Sequence, residues 1–145
     1  LAEKISKEFK EIDLILSPAM GGIIIGYEIG RLLKKETIFS ERVDGLFNLR
    51  RDFKITKNCK VLVIEDVITT GKSSLECSKL AEIEEAEVVG FACLIDRSNG
   101  NSAIKKKIIS QIELNIPTYK DNELPDDLSS LPGIKPGSRE LKWEN

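Results

Sequence analysis

Two kinds of hydrophobic pattern alternate along this chain. Short continuous apolar runs read as strands buried on both faces, and apolar residues recurring every third or fourth position read as helices with one packed side. Leu1, Ile5 and Phe9 recur at that helical spacing with charges between them and predict an opening helix. "IDLILS" (12–17), ended by Pro18, reads as a buried strand, and "GGIIIGYEIGRLLKK" (21–35) as a helix whose last turn carries Lys34 and Lys35, where the helix dipole favours cations. "ETIFSE" (36–41) is a second strand. "RVDGLFNLRRDF" (42–53) places an Asp-Gly turn between alternating residues and predicts a hairpin or flap. "CKVLVIED" (59–66) is the central strand, and "KSSLECSKLAEIEEA" (72–86) a helix with Leu75, Leu80 and Ile83 as its apolar face. "EVVGFACLID" (87–96) and "IISQIEL" (108–114) complete the strands, separated by the loop "RSNGNS" and a basic "AIKKKI" segment whose Lys105, Lys106 and Lys107 read as a solvated face.

Strand and helix alternate throughout, so the expected class is α/β with a mostly parallel central sheet flanked by helices. No repeat or second domain interrupts the pattern, which predicts one domain over 1–145. From Asn115 the chain turns rich in proline, glycine and polar residues and is expected to wrap the surface. Because the pattern opens in mid-helix at Leu1, residues preceding it are expected in the parent protein.

Composition narrows the chemistry. The chain has 145 residues, 41% hydrophobic and 32% charged, with a formal net charge of -2. That balance gives no electrostatic reason to expect nucleic acid or an anionic membrane as a partner. No apolar run approaches the roughly 20 residues of a membrane span. With no histidine, a zinc centre or a serine–histidine triad is not expected. The three cysteines, Cys59, Cys77 and Cys93, form no CxxC pair and read as small apolar filler in a reducing cytoplasm.

One stretch stands apart. In "VLVIEDVITTGKSS" (61–74) an apolar strand runs into two adjacent acids, then into a turn of small and hydroxyl residues that opens a helix. The backbone N–H groups of such a turn form an anion site, and the hydroxyls of Thr69, Thr70, Ser73 and Ser74 add donors. It is not a P-loop, because Asp66 stands where the first glycine of GxxxxGK[ST] belongs. A phosphate accepts several of these donors at once, and two acids one turn away accept hydrogen bonds from vicinal hydroxyls. A phosphorylated ribose offers both groups. The plainer alternative is a solvated acid pair at a strand end, followed by a helix cap.

These residues resemble the phosphoribosyl pyrophosphate (PRPP) signature of the type I phosphoribosyltransferases. The resemblance implies their Rossmann-like fold, with a flap near residues 42–53. It further implies that Glu65 and Asp66 hold the ribose hydroxyls and act in catalysis, and that Thr69, Thr70, Gly71, Lys72 and Ser73 hold the 5-phosphate. "SPAMGG" (17–22) resembles the family's pyrophosphate loop, which assigns Ala19, Met20, Gly21 and Gly22 to that role with Arg42 beside them. Arg50 and Arg51, in the flap, are implied to close over the leaving pyrophosphate.

"ACLIDRSNG" (92–100) is similar to the strand end of orotate phosphoribosyltransferases, where an arginine after aspartate meets the orotate carboxylate. Arg97 takes that place, with Thr69 beside the base, and a guanidinium suits such an anion because it grips a carboxylate bidentately. "FSERVDGLFNLRRDF" (39–53) and "IKPGSREL" (134–141) resemble a bacterial subgroup of these enzymes with a histidine-free flap. The resemblance implies transfer of ribose 5-phosphate from PRPP to orotate, in pyrimidine biosynthesis. Mg²⁺ is then held mainly by PRPP near Glu65 and Asp66 rather than by a dedicated protein site. It also implies a homodimer, and an N-terminal hood segment that this chain lacks. A purine phosphoribosyltransferase, or a non-catalytic nucleotide-sensing regulator of the same fold, stays open as an alternative.

Overall fold

The computed structural model describes residues 1–117, 119 and 122–133. Its chain divides into two compact units, Leu1–Asn115 and Ile116–Asn145. Among the described residues, the first unit contains all the strands and three helices: α1 (Ala2–Glu8), β1 (Leu14–Pro18), α2 (Gly21–Leu33), β2 (Glu36–Val43), β3 (Leu46–Leu49), β4 (Lys60–Ile68), α3 (Lys72–Ile83), β5 (Glu87–Asp96) and β6 (Ile108–Glu113). In the second unit the described residues include one helical turn, α4 (Asp126–Ser129). The "IKPGSREL" segment lies outside the described residues.

The strands form one six-stranded sheet in the order β3-β2-β1-β4-β5-β6, parallel except for β3 at one edge. Its centre is dry: all of Leu14, Ile15, Leu16, Val61, Leu62, Val63 and Ile64 are at most 3% exposed. That is what continuous apolar runs require when helices cover both faces. Successive residues of β4 alternate between the two sides. Val61 and Val63 join Cys77 and Ala81 of α3, whereas Leu62 and Ile64 join Ile29 of α2 and Ile5 of α1.

The expected hairpin is present. Val43 pairs with Leu46 across Asp44 and Gly45, both at positive φ (50° and 83°), as a tight turn matching strand twist demands. Two expectations change. β4 does not stop at the acids but runs on to Ile68, because its pairing with β5 continues through Val67↔Ile95 and Ile68↔Asp96. α3 ends at Ile83, and that residue is 73% exposed rather than on the packed face. Leu75 and Leu80 do pack against the core, beside the fully buried Ser74, Cys77, Ser78 and Ala81 of α3.

Candidate active site

β1 and β4 are neighbours, yet the chain leaves β1 for β2 on one side and leaves β4 for β5 on the other. In an open α/β sheet this reversal opens a crevice beyond the carboxyl ends of the two strands, where ligands bind. β1 ends there in residues 19–22 and the start of α2, and β4 ends in residues 69–71 and the start of α3.

Glu65 and Asp66 occupy the last turns of β4's alternation, so they separate to opposite faces. Glu65 faces α3, where its Oε2 accepts a hydrogen bond from Ser74 Oγ at 2.8 Å. Asp66 faces α2, with its Oδ1 accepting from the Val67 amide at 2.9 Å. A Cβ built on Gly21 would lie 2.3 Å from Asp66 Oδ2, so with the carboxylate in this orientation glycine leaves it room that a side chain would not. The acid pair thus touches the beginnings of both helices. Burial pushes the Glu65 carboxyl up to about 7, the nearby Asp66 charge adds to the rise, and the Ser74 hydrogen bond and the Arg42 charge oppose it.

Below the acids, residues 67–74 and Glu65 line a cavity of about 230 Å³. Thr69, Thr70, Gly71, Lys72 and Ser73 all border it, as the sequence predicts for a phosphate turn. Gly71 takes φ 77° at the N-cap of α3, a conformation natural to glycine. Thr70 Oγ1 accepts from the Lys72 amide at 3.3 Å. Ser74, expected to offer its hydroxyl to an anion, gives it to Glu65 instead. Ile104 and Ser102 pack over Gly71, and the Ala103 amide bonds the Thr70 carbonyl at 2.9 Å.

The first-strand loop has a cis Ala19–Met20 peptide. The Ala19 amide bonds the Ser40 carbonyl at 2.8 Å, Met20 is 80% exposed, and Gly22 lies against the Ile64 carbonyl. Arg42, assigned to this loop's neighbourhood, has its observed contacts on the hairpin and on α3. It lies across the hairpin, 4.0 Å above the Phe47 ring, with Nη1 on the Gly45 carbonyl and Nη2 at 2.5 Å from Glu76 of α3. That bond holds the Glu76 carboxyl below its ordinary range.

Arg50 and Arg51 follow β3 and share one acid. Glu41 lies 3.7 Å from Arg50 and 3.0 Å from Arg51, and both guanidinium-bearing side chains are about 60% exposed. Arg97, immediately after β5, is tied to the phosphate turn through its amide, which bonds the Ile68 carbonyl at 2.8 Å. Its Nε is buried and has no partner among the described residues. Sequence reasoning did not find the roles of Glu41, Glu76 and the Gly21–Asp66 contact. Each joins residues far apart in the chain, and no local pattern announces them.

No described helix is long and apolar enough to cross a membrane. The family model for the phosphoribosyl transferase domain matches residues 1–129. Over 142 residues the chain is 49% identical to an orotate phosphoribosyltransferase of Methylorubrum extorquens (strain PA1), spanning 97% of this chain and 72% of that protein. It is 47% identical over 140 residues to one of Erythrobacter litoralis (strain HTCC2594), spanning 96% of this chain and 72% of the relative. A crystal structure of an adenine phosphoribosyltransferase superposes with a TM-score of 0.67 at 18% identity, over 77% of this chain and 76% of that one, a likeness of fold alone. Fold and sequence together establish that the chain belongs to the phosphoribosyl transferase domain family and, within it, to the orotate phosphoribosyltransferases.

Proposed function

We infer that the chain transfers the ribose 5-phosphate of PRPP to orotate, giving orotidine 5-monophosphate and pyrophosphate. The observation that carries this is the 49% identity over 142 residues to an orotate phosphoribosyltransferase. On this reading the 69–73 turn binds the 5-phosphate through its amides and hydroxyls. Glu65 and Asp66 accept hydrogen bonds from the ribose hydroxyls and steady positive charge that develops at the anomeric carbon as pyrophosphate leaves. The loop at Ala19, Met20, Gly21 and Gly22 offers backbone amides to pyrophosphate.

Arg50 and Arg51 close over the departing group, exclude water and keep the reactive centre from hydrolysis. Arg97, with its unpartnered Nε, meets the orotate carboxylate, and Thr69 flanks the base. Arg42 acts from β2 by charge, reaching the site through its influence on Glu65.

Mg²⁺ fits this arrangement as a companion of PRPP. A hard ion prefers phosphate and ribose oxygens, so on this reading it takes most of its ligands from the substrate, near Glu65 and Asp66. When bound, it neutralises charge on the diphosphate.

A homodimer belongs to the same reading. Met20 at the N-cap of α2 and Ile24 and Tyr27 within it, spaced i, i+4, i+7, are 80%, 81% and 65% exposed and form an apolar stripe suited to a second copy. Three free thiols suit a reducing cytoplasm.

The test follows the ultraviolet absorbance of orotate with PRPP and Mg²⁺, with adenine, hypoxanthine and uracil as competing bases. Orotate consumption that requires PRPP and falls at least 100-fold, about 2.7 kcal/mol in the barrier, in Asp66→Asn is expected. Turnover of a purine in place of orotate would overturn the assignment of Arg97.

A further inference from the structure

Ser74 stands on the N-terminal turn of α3, at the wall of the anion cavity, and only 1% of it is exposed. A buried serine in a helix ordinarily satisfies its hydroxyl on its own helix. Ser78, four residues on, does so, bonding the Leu75 carbonyl at 3.0 Å. Ser74 does not. Its hydroxyl crosses to the neighbouring strand and reaches Glu65 Oε2 at 2.8 Å.

The turn between them is pinned at both sides. The Leu75 amide bonds the Gly71 carbonyl at 2.9 Å, and Ile104 packs on Gly71 so closely that a Cβ there would meet it at 2.8 Å. A single hydrogen bond therefore fixes one acid of β4 to the helix whose first amides border the anion cavity.

We propose that Ser74 is a positioning residue that holds Glu65 at a set distance from the phosphate turn, so that the site favours a phosphate bearing a ribose over a bare phosphate. The proposal rests on the phosphoribosyl reading above and adds a residue that reading does not use. Without the hydroxyl, Glu65 keeps its place on the strand but loses the partner that orients its carboxylate, and a charge-assisted hydrogen bond is among the stronger ones available. The phosphate turn, built from backbone amides and from Thr69, Thr70 and Ser73, is untouched.

Calorimetric titration with ribose 5-phosphate and with inorganic phosphate tests this. Ser74→Ala is expected to weaken ribose 5-phosphate about tenfold, the size of a lost charged hydrogen bond, while phosphate changes less than about twofold. Ser74→Thr, which keeps a hydroxyl, is expected to retain the preference and serves if the alanine variant folds poorly. In a Glu65→Ala background, which removes the acceptor, Ser74→Ala should add nothing further. Equal weakening of both probes, or additive effects in the double variant, would show that Ser74 merely supports the helix and would overturn the proposal. A wild type that binds ribose 5-phosphate no better than phosphate would remove the ribose reading itself, and the proposal with it.

Discussion

A carboxylate on a sheet face between two helices has little water to share its charge, and Glu65 is in that position. Its unfolded-state value is the ordinary 4.5, whereas burial lifts the native one to about 7. Below about pH 4.5 both states carry the proton and the group contributes nothing. Above about 7 both are ionised and the native state bears the full desolvation penalty, so this group's contribution to stability falls as pH rises through that window. Glu65→Gln keeps an oxygen to accept from Ser74 and removes the charge. Thermal melts should therefore show the unliganded variant more stable than wild type at pH 8, by about 1–2 kcal/mol once solvent screening of a half-buried group is allowed for. The two should converge near pH 4. Equal stability at pH 8 would mean that water reaches Glu65 freely. The sequence made both acids visible because an apolar strand rarely ends in such a pair, but it did not show that they part to opposite faces. That follows from β4 continuing to Ile68, which keeps the two-residue alternation intact through 65 and 66.

The β2–β3 hairpin and the residues after it belong to the element scale. Arg51 and Asp52 both sit at positive φ, 58° and 60°, a conformation that side chains other than glycine adopt at some cost. Glu41 holds the guanidinium groups of Arg50 and Arg51 together from β2. If these arginines meet pyrophosphate, the anion has to displace Glu41, and exposed pairs of this kind are weak. Glu41→Gln should accordingly tighten product inhibition by pyrophosphate about two- to fivefold, read from steady-state kinetics. Unchanged inhibition would move the pyrophosphate contact away from Arg50 and Arg51. The hairpin itself was legible, since Asp44-Gly45 is the turn chemistry that this geometry demands. The ion pairs were not: Arg42 and Glu76 meet only because α3 packs beside the hairpin, which no local pattern records. Ile83 shows the opposite error, an apolar residue at helical spacing that falls beyond the turn where α3 still touches the sheet.

At the scale of the first unit, the alternation of strand and helix was enough to predict a parallel sheet, but not its order. Strand order decides function here, because placing β1 beside β4 brings two ligand-facing turns to one crevice. The apolar stripe of α2 sets a further expectation. Ile24→Glu with Tyr27→Glu should convert a homodimer to monomers in sedimentation equilibrium while leaving the far-ultraviolet circular dichroism unchanged. An unaltered association state would place the interface elsewhere. One contact across the crevice has an evolutionary side. Gly21 and Asp66 arrive from different strands and leave no volume for even a methyl group between them. A side chain at position 21 therefore requires the Asp66 carboxylate to swing aside, so a change at one position is felt at the other.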